Sequence, residues 1–185
     1  MNDIAESQQG ELKDLIPLWL AVGLTVIVAV PFGLWLGKYN FALWCAFIVW
    51  AQYFVLGAKP AAIKIIIPSF CSAAFIIAAS LWLASFLSFL PSLVTDGDLA
   101  LTVGLSLGSC FAVYSMRWAK VFEEGSLPFF NGISMVLAIY FTGSYPDFGG
   151  ILPAPFGAAI WASVMCVFGC FLGFFNIWVM FSKKA

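Results

Sequence analysis

Six long apolar runs, nearly free of charge, occupy most of this chain. Hydrophobic residues make up 63% of its 185 residues and charged residues only 9%, which excludes an ordinary water-soluble surface. The runs lack the strict alternation of a membrane β-barrel and therefore predict membrane helices. The predicted spans are residues 15–36, 41–56, 65–90, 99–115, 127–142 and 156–181. The expected fold class is an all-α integral membrane protein with six transmembrane helices.

A short pattern occurs twice, in the second and fifth runs. It is Ala51-Gln52-Tyr53-Phe54 followed by Gly57 and Pro60, and Ala138-Ile139-Tyr140-Phe141 followed by Gly143 and Pro146. Copies three spans apart would face opposite sides of the bilayer, as in inverted-repeat channels and carriers. The sequence therefore predicts two inverted three-helix repeats that superimpose with Tyr53 on Tyr140 and Gly57 near Gly143. The segments are a leader (1–14), the first repeat (15–90), an outer link (91–98), the second repeat (99–181) and a tail (182–185).

Positive charge is distributed unevenly between the links. With six spans, seven of the eight Lys and Arg residues fall on the side that holds both termini, and only Lys38 falls on the other. The positive-inside rule then predicts a multi-pass membrane protein with both termini in the cytoplasm. The stretch before the first span is mainly acidic, so it is not expected to be a cleaved signal peptide.

The second and fifth spans are short. Each has 16 residues, which reach roughly 24 Å against a hydrocarbon core about 30 Å thick. Either the bilayer thins, or the Gly-x-x-Pro link after each span is sunk in a water-filled vestibule. A plain helix-ending role for Gly and Pro stays open. If the two short helices met near a pseudo-twofold axis, their aromatic rings would surround a narrow passage.

The predicted substrate path joins these aromatic and glycine positions to two amides. It consists of Gln52, Tyr53, Phe54, Gly57, Asn131, Tyr140, Phe141 and Gly143, with Lys59 and Lys64 at its cytoplasmic mouth. The aromatic residues have an alternative role in ordinary packing or interfacial anchoring. Gln52 and Asn131 are the strongest polar candidates because a buried amide needs several partners, although hydrogen bonding between helices is an alternative for each.

Residues that could bind a proton, a metal ion or a substrate covalently are scarce within the predicted spans. No Asp, Glu, Lys or Arg lies clearly inside a predicted span and the chain has no His, which disfavours a proton-coupled carrier. The five cysteines fall in apolar runs, where a thiol behaves as a small hydrophobe. The sequence therefore predicts no catalytic residues, no metal site and no cofactor, and the protein is not expected to be an enzyme.

The predicted function is a passive channel or facilitator for a small polar solute. Three spans carry Gly-x-x-x-Gly motifs, at Gly33 and Gly37, Gly104 and Gly108, and Gly169 and Gly173. Such faces allow close packing within one bundle or between protomers, so a homo-oligomer stays open. The alternative function is a non-transporting accessory subunit that docks on a larger membrane complex through these faces. The expected partners are the lipid bilayer and the solute, and no nucleic acid.

Several of these motifs carry a resemblance to a known group. The stretch from Trp44 to Gly57, with Phe129-Phe130-Asn131-Gly132 and Phe141-Thr142-Gly143, resembles the small bacterial inner-membrane proteins grouped as domain of unknown function 1097. The similarity runs in order from about residue 41 to residue 179. It implies a multi-pass inner-membrane location, and it supplies no substrate or catalytic residue.

Overall fold

The computed structural model describes residues 13–182, and these residues are helical almost throughout. The α-helices are α1 (Leu18–Trp35), α2 (Leu43–Val55), α3 (Pro60–Ser85), α4 (Asp98–Ser115), α5 (Lys120–Glu124), α6 (Ser126–Phe141) and α7 (Ala154–Met180). Single 3-10 turns follow α1 at Gly37–Tyr39 and α4 at Met116–Trp118. A two-residue antiparallel ladder pairs β1 (Lys13–Asp14) with β2 (Phe181–Ser182). Apart from this ladder, the all-α prediction is confirmed for residues 13–182.

Four helices are long and apolar enough to cross a membrane. They are α1, α3, α4 with its 3-10 extension to Trp118, and α7. Helices α2 and α6 have 13 and 16 residues, so α2 is even shorter than the sequence predicts. At about 1.5 Å per residue, α2 reaches about 20 Å and is well short of the hydrocarbon core. The structure thus supports four membrane-spanning helices, and the six-span arrangement stays a prediction.

Prolines mark where the two longest helices begin. Pro60 occupies the first position of α3, five residues before the predicted start, and Pro155 lies in the first turn of α7. Proline is well tolerated there because the first amide hydrogens of a helix have no partner within the helix. The predicted leader (1–14) and tail (182–185) lie almost wholly outside the described residues.

The centre of the bundle is formed by α3 and α7, which pack against each other. Helix α2 lies along α7 and α6 lies along α3, while α1 contacts α7 and α4 contacts α3. Each short helix therefore packs on the long central helix of the other half of the chain. The core contains fully buried side chains from both central helices, among them Phe70, Ile77, Met165 and Leu172.

Glycines allow the closest helix contacts inside the bundle. A Cβ atom added at Gly173 would lie 2.6 Å from the ring of Tyr53, and one at Gly104 would lie 2.6 Å from the Cβ of Ala84. These distances are too short for an added side chain, so the backbones of α7 and α4 approach α2 and α3 only because these positions are glycine. Two of the three Gly-x-x-x-Gly motifs thus serve packing within this chain.

Candidate functional site

The two short helices end in the same backbone motif. At the end of α2, the Gly57 N–H donates to the Phe54 carbonyl at 3.0 Å and the Ala58 N–H donates to the Tyr53 carbonyl at 2.9 Å. At the end of α6, the Gly143 N–H donates to the Tyr140 carbonyl at 3.2 Å and the Ser144 N–H donates to the Ile139 carbonyl at 2.9 Å. These pairs define a Schellman motif. Gly57 and Gly143 have φ angles of 90° and 64°, the left-handed region that glycine adopts without steric cost. The helix ends therefore match Gly57 with Gly143.

Matching the caps corrects the pairing of the aromatic residues. Tyr140 then corresponds to Phe54, and Tyr53 corresponds to Ile139, so the predicted match of Tyr53 with Tyr140 is wrong by one residue. The reason is that two residues separate the aromatic pair from its glycine in the first copy and only one does in the second. Burial agrees with the cap-based match, because Tyr53 and Ile139 are fully buried whereas Phe54 and Tyr140 are half-buried.

The last two turns of α2 carry a group of buried polar side chains. Gln52 is 2% exposed, Tyr53 is 0% exposed and Trp50 is 8% exposed. Both amide atoms of Gln52, the Tyr53 hydroxyl and the Trp50 Nε1 have no hydrogen-bond partner among the described residues. Each buried polar group left unpaired costs about 1–3 kcal/mol. Because these four unpaired atoms belong to three residues at the end of α2, we define Trp50, Gln52 and Tyr53 as the α2 polar group and treat it as the candidate site.

Trp50 and Asn176 are buried polar residues that the predicted path omits. Asn176 is fully buried in α7, and its Nδ2 donates to the Thr25 hydroxyl of α1 at 3.0 Å. Its Oδ1 has no partner within residues 13–182. An amide in an otherwise apolar helix is a signal that could have identified Asn176. Trp50 gave no such signal, because aromatic residues make up 18% of the chain.

The end of α6 is fixed to the link that precedes α2. The Asn40 side chain donates through Nδ2 to the carbonyls of Gly143 and Tyr145, at 3.2 and 3.1 Å. Its own carbonyl accepts a hydrogen bond from Trp161 Nε1 at 3.0 Å. The rings of Tyr140 and Tyr145 stack with centroids 6.5 Å apart. These contacts hold the Tyr140 end of the predicted path beside the start of α2.

A polar cavity lies at this same end of the bundle. It has a volume of about 460 Å³, and its lining includes Asn40, Gly143 and Asp147. Burial raises the pKa of Tyr145, another lining residue, and the charges of Tyr140 and Asp147 raise it further. Gly143 therefore connects the predicted path to this cavity.

The predicted path residues form two groups rather than one ring. Asn40, which binds Gly143, lies three residues before α2 begins at Leu43, whereas Tyr53 lies in the last turn of α2. Ten helical residues separate Leu43 from Tyr53, a rise of about 15 Å. Tyr53 and Tyr140 therefore lie near opposite ends of α2, and the expectation that their rings surround one constriction is wrong.

The remaining predicted residues lie in less enclosed positions. Asn131 is half-buried in α6, and Phe141, Lys59 and Lys64 are exposed. An added Cβ at Gly57 or Gly143 would meet no atom within 4 Å. A Cβ atom is therefore tolerated sterically at either cap, in contrast to the packed glycines of α4 and α7.

Larger cavities elsewhere are apolar. One of about 700 Å³ lies between α3 and α4, and one of about 580 Å³ lies on the face shared by α3 and α7. Neither is lined by the α2 polar group, whose unpaired atoms are enclosed by protein. Within residues 13–182, no cluster of three or more acidic or cysteine side chains could hold a metal ion.

No family model, curated protein or solved structure matches this chain. The similarity to the domain of unknown function 1097 proteins therefore stays a prediction.

Proposed function

We propose that this protein is a passive channel or facilitator for a small polar solute in the bacterial cytoplasmic membrane. The observation that carries the proposal is the α2 polar group, whose buried donors and acceptors have no partner among the described residues. A protein that only needed to fold would gain stability by replacing such groups with apolar ones of similar shape. A passing solute would supply the missing hydrogen bonds.

The chemistry of the interior favours passive movement over proton coupling. Besides Trp50 and Tyr53, the buried polar side chains of the described residues are Thr25, Gln52, Ser69, Ser80, Ser115 and Asn176. None of these is a carboxylate, a lysine or an arginine, the groups that usually bind and release a proton at depth. The solute would therefore move down its own gradient.

The architecture that we propose is two inverted three-helix repeats with six spans. In favour are the matching caps of α2 and α6, and the packing of each short helix on the central helix of the other half. The pairing of β1 with β2 places the two ends of the described chain side by side, as is expected when both lie on the same side of the membrane. The cation distribution then favours cytoplasmic termini. We include membership of the domain of unknown function 1097 family in the proposal, on its sequence motifs.

The alternative, a non-transporting accessory subunit, was expected to dock through its small-residue faces. Two of those faces already pack against other helices of the same chain. Helix α3 covers Gly104 and Gly108, and α2 covers Gly169 and Gly173. A partner would have fewer such faces to bind, which favours the facilitator.

Solute flux into liposomes that contain only this protein tests the proposal. We expect osmotic swelling above that of empty liposomes, and we expect Gln52→Leu to lower it while leaving thermal stability unchanged or higher. Stability should not fall because the substitution removes two unpaired buried atoms. Ser134→Ala, an exposed hydroxyl on α6, is the matched control and should keep full flux. Swelling no faster than in empty liposomes would contradict the proposal.

A further inference from the structure

The polar cavity near the end of α6 is lined by residues from three segments of the chain. Asn40 comes from the link before α2, Gly143 and Tyr145 follow α6, and Asp147 and Phe148 lie in the loop that leads to α7. The volume of about 460 Å³ has room for a small organic molecule. The α2 polar group does not line this cavity, so a ligand bound here goes beyond the proposed facilitator function.

The charged residue of this lining is Asp147. Its Oδ1 accepts a hydrogen bond from the Gly149 N–H at 2.8 Å, and no lysine or arginine within residues 13–182 forms an ion pair with it. Lys38, in the same link as Asn40, instead lies over the Tyr39 ring at 4.7 Å from its centroid. The cavity therefore carries a negative charge without a counter-ion among the described residues.

The polar groups next to this carboxylate favour a cation over an anion. Both Nδ2 hydrogens of Asn40 are used, because this atom donates to two backbone carbonyls after α6, and the remaining polar atom of the side chain is an acceptor, Oδ1. At the start of α7, the N–H groups of Phe156 and Gly157 donate to the Pro153 carbonyl, and Pro155 has no N–H. The first turn of α7 thus has few free amide hydrogens to hold an anion.

Two aromatic rings of the lining pack on one glycine of α7. A Cβ atom added at Gly157 would lie 2.9 Å from Cδ2 of Phe148 and 3.5 Å from Cδ2 of Tyr145. The faces of phenylalanine and tyrosine rings attract organic cations. A hard metal ion would instead require several more oxygen ligands than one carboxylate and one amide supply.

We infer that this cavity binds a small alkylammonium ion, such as methylammonium. The ammonium N–H groups pair with the Asp147 carboxylate and with Oδ1 of Asn40, and the methyl end contacts the rings of Tyr145 and Phe148. The site holds the cation beside Gly143, at one end of the bundle.

Equilibrium dialysis of labelled methylammonium against the purified full chain in detergent tests this site. We expect saturable binding, and we expect Asp147→Asn to weaken it about tenfold, the effect of one lost charge-assisted hydrogen bond. Asparagine keeps a side-chain oxygen that accepts the Gly149 N–H, so the loop should be retained. Asp96→Asn, at an exposed position before α4, is the matched control and should bind like the parent. Equal affinity of Asp147→Asn and the parent would overturn the inference.

Competition and a ring variant identify the class of ligand. Tetramethylammonium should displace the label, whereas sodium at the same concentration should leave most of it bound, because strongly hydrated sodium gains little from the rings. Phe148→Leu should weaken methylammonium binding about threefold. Equal displacement by sodium, or saturable binding of labelled formate in place of methylammonium, would overturn the alkylammonium assignment. Because dialysis in detergent measures binding alone, its result is independent of whether any solute crosses the bilayer.

Discussion

At the scale of single residues, Tyr53 combines a tight packing contact with an unpaired polar atom. Its ring fills the space above Gly173, and its buried hydroxyl has no partner among the described residues. The ring contact stabilises the α2–α7 interface, whereas the hydroxyl adds a desolvation cost. The two parts of one side chain can therefore be tested separately.

The contact between the Tyr53 ring and Gly173 predicts the effect of placing a larger residue at position 173. We expect Gly173→Leu to destabilise the protein by about 1–3 kcal/mol because the new side chain overpacks the Tyr53 ring. Gly23→Leu on α1 is the matched control, since an added Cβ there meets nothing within 4 Å. Thermal unfolding in detergent measures both. Equal melting temperatures for the two variants would mean that the close approach of α2 and α7 is absent in solution.

Sequence patterns identified some of these residues and missed others for a physical reason. Gln52 could be predicted, because an amide in an apolar run must find partners or a function. Trp50 could not, because its polarity is a single N–H on a large apolar ring, one among many such rings. The pairing of Tyr53 with Tyr140 failed because the side-chain pattern and the backbone caps are offset by one residue, and only the caps fix the helix end.

At the scale of elements, the caps of α2 and α6 depend on backbone conformation rather than on packing. Both cap glycines are left-handed and have open space around the missing side chain. An alanine at either position therefore costs conformational strain and no steric overlap.

We accordingly expect Gly57→Ala and Gly143→Ala each to lower stability by about 1 kcal/mol, the cost of a left-handed alanine. Gly57→Asn and Gly143→Asn should lose less, because asparagine adopts this conformation more readily. Chemical or thermal unfolding of the four variants checks the order. A larger loss for asparagine than for alanine would show that side-chain size, rather than the backbone angle, controls these sites.

Helix starts were only partly predictable from the residues that mark them. Asp98, which favours a helix start, begins α4 within one residue of the predicted span, whereas α3 begins at Pro60, five residues before its predicted span. The start of α2 was not predictable, because Phe41 and Ala42 are as apolar as the helix that follows. The left-handed conformation of Asn40 ends the preceding turn and delays the helix to Leu43.

At the scale of the whole molecule, the two halves of the chain are interleaved. Contacts of α2 with α7 and of α6 with α3 cross between the halves. The repeated sequence motif suggested two matching units, but it could not reveal this exchange. In apolar membrane helices every face offers similar side chains, so sequence alone does not select the neighbour.

The proposed topology predicts where reporters will be active. A reporter fused after Ala185 should work only in its cytoplasmic form, and one inserted near Asp96 only in its periplasmic form. The expectation follows from six spans and from the excess of cations on one side. A periplasmic signal at the carboxyl end would mean that α2 or α6 fails to cross, and would remove the basis for inverted repeats.

The pairing of β1 with β2 makes the order of the halves along the chain interchangeable. Because Lys13 and Ser182 are register partners, a short peptide could join these positions and the chain could be opened instead near Asp96. Such a circular permutant would begin with α4 and finish with α3, yet every interhelical contact could be retained. Two separate polypeptides, one per half, should likewise assemble when they are made together, because each half supplies the surface on which the other folds.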